Sequence, residues 1–400
     1  MAFADLAHAA VRVCAGKTPY PVPHVVQAND WHAGLIPALL KLQNIHNVGS
    51  VLTIHNLAFQ GNFPLDQAAR IGIPADMLTE DGMKFWGKMS YLKAGIAWAD
   101  AITTVSKTYA QEILGELGYG MQDILNRRRH VLSAIPNGVD LSVWNPGSDR
   151  NIKRNFSLDH MSGKAVCKRE LQRLFQLPLQ PFAPLMALGS RITHQKMADV
   201  VLDAMPQLLE QHPHLQIVVH GCGEPQYEER FLQLAAAYPQ QVGVHIGYDE
   251  QRAHALHAGA DILLHPTRFE PFGLTPIYAM LYGTIPVASG VGGLCDTIID
   301  AGAGDDTAAG ANGILFNGEQ AVDLQQAVTR ALTLYAQPSS WLNMQRNAMA
   351  GDYSWSGPAA AYTRLYAHIA PAHARTLFRD LLKPKHKTPL LQPSLMQMTA

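Results

Sequence analysis

Arg191 and Lys196, five residues apart in Ser190-Arg191-Ile192-Thr193-His194-Gln195-Lys196, follow at once on the apolar run Leu185–Gly189. A planar guanidinium and an ammonium leaving one strand end suit a diphosphate whose charge grows as it departs. Two cations in a loop carry little weight alone, because Lys and Arg are common at surfaces. A second segment strengthens the reading: Thr267-Arg268-Phe269-Glu270-Pro271-Phe272-Gly273-Leu274-Thr275-Pro276 follows the apolar run Asp261–His265. Its logic is strand, tight loop, then a helix beginning near Thr275-Pro276, since proline fits a first turn that needs no internal N–H bond. The free N–H groups of that turn, with the helix dipole, make an anion site. Glu270 enters the loop as an acceptor for ligand hydroxyls, or else as a helix cap. A third loop, Gly290-Val291-Gly292-Gly293-Leu294, follows Ile285–Ala288, and its glycines permit close backbone approach to a ligand. In the first half, Asn29-Asp30-Trp31-His32-Ala33-Gly34, His55-Asn56 and Asn137-Gly138-Val139-Asp140 also follow apolar runs.

The elements that must position these loops alternate. His24–Ala28, Ser50–His55, Ala101–Val105 and Val131–Ile135 read as buried strands, with helical patterns at Gly34–Leu42 and Lys107–Leu117 between them. Pro178, Pro181 and Pro184 then mark a linker. A second series follows, with strands at Leu185–Gly189, Leu215–His220, Val244–Ile246, Asp261–His265 and Ile285–Ala288 and helices between and after them. Short apolar runs alternating with helices predict parallel sheets covered by helices. The expected fold is therefore α/β, two doubly wound parallel-sheet domains facing a cleft, with ligands beyond the carboxyl ends of the strands.

Bulk properties exclude several classes. A chain of 400 residues is long for one core, and its 48% hydrophobic and 16% charged residues are ordinary for a globular protein. The formal net charge of −1 gives no global pull toward nucleic acid or an anionic membrane. Cys14, Cys167, Cys222 and Cys295 have no Cys-x-x-Cys spacing, which speaks against a structural zinc site or a disulfide framework. The opening MAFADLAHAAVRVCAG reads as an amphipathic helix and not a signal peptide. With no apolar run near the roughly 20 residues that span a bilayer, the expected location is cytoplasmic.

NDWHAG, TIHNLAFQG, KAGIAWADAITTVSKTYAQEI, PNGVD, SRITHQK, GYDE, RFEPFGLTPIYAMLYGTIP and GGLCDT together resemble the bacterial glycogen synthase and plant starch synthase family, in order and spacing, from about residue 20 to residue 368. The resemblance implies the GT-B architecture of two Rossmann-like domains, and a retaining transfer of glucose from ADP-glucose to the non-reducing end of an α-1,4-glucan. It implies no metal and no cofactor apart from the donor substrate. Arg191 and Lys196 would neutralise the departing diphosphate, Glu270 would hold glucosyl hydroxyls, and the N–H groups of Leu274 and Thr275 would meet the distal phosphate. His32 and Asn137 would contact the donor glucose, with Asp30 beside them. Tyr248 would stack on the adenine and Tyr278 lie near the ribose. Phe272, Gly273, Gly292 and Gly293 would complete the donor pocket. Retention without a carboxylate nucleophile other than Glu270 points to a front-face, oxocarbenium-like route.

The implied domains are a partial N-terminal one at 1–178, a C-terminal nucleotide-sugar domain at 179–345, returning helices at 346–370 and a loose tail at 371–400. Some positions depart from the family. Met197 replaces a usual glycine after the lysine, Phe272 a usual cysteine, and the loop Ala288–Val291 lacks the usual Arg and Thr. The opening Lys-x-Gly-Gly loop has only Gly16-Lys17-Thr18-Pro19 as its nearest match. With four strands before the linker, on the order of 100 residues at ~30 per strand–helix unit are expected to be missing, and with them stability and activity. The alternatives are a related UDP-glucose-dependent transferase, decided by the adenine pocket, and a non-catalytic glucan-binding or regulatory remnant.

Overall fold

The computed structural model describes residues 2–302 and 308–381. The strands of the first half are β1 (Val25–Asn29), β2 (Gly49–Ile54), β3 (Asn62–Pro64), β4 (Lys84–Phe85), β5 (Lys88–Ser90), β6 (Ala101–Thr104) and β7 (Leu132–Ala134). β1-β2-β6-β7 form a parallel sheet in that order, while β3-β5-β4 form a small antiparallel ribbon beside it. Every residue of β2 is buried, as befits a strand covered on both faces, whereas β1 stands at the edge and is mostly half-buried.

The helices of this half are α1 (Ala2–Cys14), α2 (Asp30–Ala33), α3 (Leu35–Leu42), α4 (Tyr91–Trp98), α5 (Lys107–Glu112) and α6 (Gln122–Arg127). Helix α1 buries Ala4, Ala7, Val11 and Cys14, a three- and four-residue spacing that puts all of them on one face, toward α3.

The second half holds β8 (Leu185–Gly189), β9 (Gln216–Gly221), β10 (Val242–Ile246), β11 (Ile262–His265), β12 (Ile285–Ser289) and β13 (Ile314–Phe316). Their order in space, β10-β9-β8-β11-β12-β13, is all parallel and reverses direction between β8 and β11. At such a reversal the connections leave the sheet on opposite faces, so a crevice opens beyond the carboxyl ends of those two strands. The loops carrying Lys196 and Glu270 lead out of β8 and β11 and thus flank it.

Helices α7 (Ser162–Leu174), α8 (Ala198–Gln211), α9 (Pro225–Ala237), α10 (Glu250–Gly259), α11 (Leu274–Leu281), α12 (Gly292–Thr297), α13 (Ala321–Tyr335) and α14 (Pro338–Met349) cover this sheet. Helix α8 shows why the pattern works: Val200, Val201, Ala204, Met205, Leu208 and Leu209 recur on one face and are buried. Each large aliphatic so buried stabilises the fold by roughly 1.5–3 kcal/mol relative to exposure.

Packing runs across the expected division at residue 178. Helix α7 lies against α10, and Leu171, Phe175 and Leu177 share a core with Leu185, Val218 and Leu263 of the second sheet. An amphipathic helix declares a buried face without declaring which sheet covers it. At the other end, α14 packs on α11 and α13, so residues up to Met349 also stay with the second unit. Helix α15 (Ser356–Ile369) returns to the first sheet, where Tyr366 donates to Gln27 of β1. Of the expected tail, α16 (Arg375–Leu381) packs on α15, and residues 382–400 lie outside the described residues.

Candidate active site

The loop after β8 is pinned at its start. Ile192 is buried, its N–H donates to Cys222 O (3.0 Å), and its carbonyl accepts from Glu224 N (2.8 Å). Gly223 must be glycine there, because a Cβ would lie 2.0 Å from the Ile192 carbonyl. The far end of the loop is fastened to the loop after β11. Arg268 N donates to Gln195 O (2.9 Å), Gln195 Nε2 donates to Phe269 O (3.3 Å), and the Arg268 guanidinium grips Asp199 through both terminal nitrogens (3.1 and 2.9 Å). Bidentate pairing of this kind fixes orientation as well as charge.

This fastening brings Lys196, His265 and Glu270 together. Lys196 Nζ and His265 Nε2 both donate to Glu270 Oε2, the histidine at 2.9 Å, and Lys196 Nζ lies 3.5 Å from His265 Nε2. The Lys196 and Glu270 side chains are only 10% and 13% exposed, so the pair works largely away from bulk water. Burial would raise the Glu270 carboxyl, but the His265 hydrogen bond and the Lys196 charge outweigh it and hold the acid at about 2. His265 is driven the other way. Burial and the neighbouring ammonium push its pKa below the usual histidine value, keeping the ring neutral and able to donate. Among the described residues no hydrogen bond reaches Glu270 Oε1, which leaves an ionised acceptor at the crevice.

The other expected residues fall in different places. Arg191 is exposed and donates to Gln195 Oε1 (3.0 Å). Gly273 takes φ +94 as the N-cap of α11, a conformation suited to glycine, and Leu274 and Thr275 follow as its first turn with no acidic residue there. Tyr248 is exposed beyond β10. Phe272 is buried and lines, with Asn137, Ser106, Asp296 and Tyr353, a cavity of about 440 Å³ between the two units. His32 is exposed and lies stacked on Trp31 with ring centroids 4.0 Å apart.

Three further expected positions make contacts within the protein itself. The Asp30 carboxylate is already engaged, accepting the backbone N–H groups of His55 (2.8 Å) and Asn56 (3.4 Å), and so ties the ends of β1 and β2. Tyr278 stacks on Trp144 (4.0 Å, 7°), which stacks in turn on the buried His254, so its ring braces the segment before α7. The room left by Gly292 and Gly293 is taken by the protein itself. A Cβ on Gly292 would lie 1.9 Å from Glu270 O, one on Gly293 2.3 Å from Phe272 O, and Gly293 N donates to Glu270 O (3.0 Å). These glycines let α12 support the Glu270 loop. Met197 also has a local reason. It takes φ +50 at the N-cap of α8, where glycine is relaxed, yet its side chain is wholly buried in the core and does not enter the crevice.

Sequence reasoning passed over His265, whose only signal is a histidine ending an apolar strand five residues before Glu270. It also passed over a reciprocal clasp between the units. Asp296 of α12 accepts Lys107 N, Thr108 N (3.1 Å) and Thr108 Oγ1 (2.6 Å), capping α5 from the other unit. Glu112, at the end of α5, accepts Gly292 N (2.9 Å), the start of α12. Burial raises the Glu112 pKa against the Gly292 hydrogen bond, and its Oε2 is buried with no partner among the described residues.

Two parallel α/β units clasped around a crevice, with a cation–carboxylate cluster at the strand-order reversal, define a glycosyltransferase of the GT-B class. The catalytic domain of starch synthase IV from Arabidopsis thaliana, bound to ADP and acarbose, has this fold, with a TM-score of 0.84 at 26% identity over 92% of this chain and 76% of that one. Residues 1–127 match the starch synthase catalytic domain and residues 176–348 the glycosyl transferases group 1. A glycogen synthase of Ralstonia nicotianae is 53% identical over 370 residues, covering 92% of this chain and 68% of that protein. One of Bordetella petrii is 48% identical over 377 residues, covering 93% and 72%. The chain belongs to the glycogen synthase family. It is a hexosyltransferase, a glucosyltransferase of the glycogen synthase kind, for which the family implies a nucleotide-sugar donor and a glucan acceptor.

Proposed function

We propose that the donor is ADP-glucose, that the acceptor is the non-reducing end of an α-1,4-glucan, and that transfer retains the anomeric configuration. The observation that carries this reading is the Lys196–Glu270–His265 cluster beside the free first turn of α11. The likeness to a starch synthase that holds ADP and acarbose supports the choice of adenine and of a glucan-like acceptor.

In this reading the N–H groups of Leu274 and Thr275 receive the distal phosphate, with the helix dipole behind them. Arg191 swings from Gln195 to meet the diphosphate, and Lys196 adds the second positive charge. Glu270 holds glucosyl hydroxyls through Oε1, its position set by His265. As the glycosidic C–O bond breaks, negative charge grows on the phosphate oxygen, and Arg191 and Lys196 stabilise it in a site of low dielectric. The incoming glucan hydroxyl attacks from the same face and loses its proton to that oxygen. His32 and Asn137 contact the donor glucose, and Tyr248 lies against the adenine. No carboxylate nucleophile enters, because Glu270 gives Oε2 to Lys196 and His265 and Oε1 to the glucosyl hydroxyls. The second unit, on these grounds, comprises residues from α7 to α14, with α15 returning to the first.

Transfer of labelled glucose to glycogen from ADP-glucose and from UDP-glucose tests the reading. It predicts incorporation with ADP-glucose at least tenfold faster, and α-linked product. Faster incorporation from UDP-glucose would overturn the donor assignment, and β-linked product would overturn retention.

A further inference from the structure

A run of contacts links His32 to the ribbon β3-β5-β4. Trp31, stacked on His32, packs against Gly61, where a Cβ would lie 2.5 Å from the indole. Next to Gly61, Gln60 Nε2 donates to Tyr119 O (3.0 Å), and Asn62 Nδ2 donates to Gln60 Oε1 (3.2 Å). Tyr119 meets Phe269, the neighbour of Glu270, edge to face with centroids 5.9 Å apart. Beside Tyr119, Gly120 clears space for Trp86, since a Cβ there would lie 2.5 Å from the Trp86 ring.

Trp86 is 75% exposed, and one exposed aromatic normally needs no explanation. Its setting does. The turn joining β4 to β5 takes positive φ at both central residues, Trp86 (+46) and Gly87 (+73), and such a turn favours Asn-Gly. A bulky side chain at left-handed φ is disfavoured and persists where something else selects it. The indole is also held rigid, stacked on the buried Phe85 (4.5 Å, 22°) and resting over Gly120, with its remaining surface toward solvent. A flat, pre-positioned aromatic surface beside amide donors and acceptors is matched by a pyranose, which has apolar C–H faces and hydroxyl edges.

We infer that Trp86, with Gln60 and Asn62, forms an extended subsite for the acceptor α-glucan, gripping glucose units away from the end that reacts. This rests on the reading of the acceptor given above. The subsite favours long chains, because a short acceptor occupies only the reacting end.

The test compares Trp86→Asn, which suits the turn and removes the ring, with Trp86→Tyr, which keeps an aromatic surface. Calorimetry with maltose and with maltoheptaose is run beside transfer to the same two acceptors. Expected for Trp86→Asn is a loss of maltoheptaose affinity on the order of five- to tenfold, a much smaller loss for maltose, and recovery in Trp86→Tyr. An equal loss for both acceptors, or none, overturns the subsite. Binding does not need turnover, so the two readings can fail separately. If the unsubstituted chain transfers no glucose yet its maltoheptaose affinity depends on Trp86, the subsite stands and the proposed reaction falls.

Discussion

The crevice of the second unit and the His32 loop of the first are built by different physics. Lys196, His265 and Glu270 are each more than four-fifths buried, mutually bonded, and held by a loop pair zipped through Gln195 and Arg268. His32 is exposed and packs against the aromatic rings of Trp31 and Phe3. The contrast teaches a division of labour. In the proposed reaction, the side that stabilises growing negative charge is pre-organised in low dielectric, where fixed charges are worth most. The side to which the same proposal gives the polymer is open.

The largest effect expected from this contrast is at Lys196. Lys196→Ala leaves Glu270 buried with only His265, so stability falls by about 3 kcal/mol and kcat by on the order of 10²–10³. Denaturant unfolding and the transfer assay read both, and an active, equally stable variant would break the comparison. His32→Ala sharpens it from the other side. Stability should hold within the range of surface substitutions, about 0.5 kcal/mol, while kcat falls on the order of tenfold to a hundredfold. A clear loss of stability would mean that His32 is structural.

A pH effect follows from the same burial. His257 is buried, and burial, with His254 and Lys164 nearby, lowers its pKa to about 3; His265 is lowered in the same direction. Between those folded values and the unfolded value near 6.5 the unfolded chain binds more protons, so stability is complete above about 6.5 and falls as pH drops. At pH 5 the His257 contribution alone is a loss of about 2 kcal/mol. Glu270 adds its own loss lower down, from about 4.5 toward 2, as its depressed pKa is reached. Unfolding curves at pH 7 and pH 5 that coincide would contradict this. The smallest effect is expected at the clasp. Asp296→Ala removes a cap worth about 1 kcal/mol, shifting the balance between closed and open units about fivefold. Small-angle scattering should then report a wider average shape, and an unchanged profile would deny the clasp a role in closure.

Much of the second unit was legible in the sequence, for a physical reason. Parallel strands buried on both faces are short apolar runs bounded by turns, so β8, β11 and β12 stand out, and the residues that follow them are the site loops. The ribbon carrying Trp86 was not legible, because strands of two or three residues cannot show an alternation. Nor was the clasp, since Asp296 and Lys107 are 189 residues apart and neither has a local signature. Gly292 and Gly293 were legible as sites of close approach, but the sequence does not say whether a ligand or the chain's own backbone approaches. His265 was hidden by its chemistry, as a buried neutral histidine at a strand end reads like any other core residue.

The most direct test of the central claim, that the second unit alone holds the nucleotide's charge, is a calorimetric titration of ADP into the unsubstituted chain, Lys196→Ala and His32→Ala. The account predicts that ADP affinity falls at least tenfold in Lys196→Ala and is unchanged in His32→Ala. Equal weakening in both, or weakening only in His32→Ala, would contradict it.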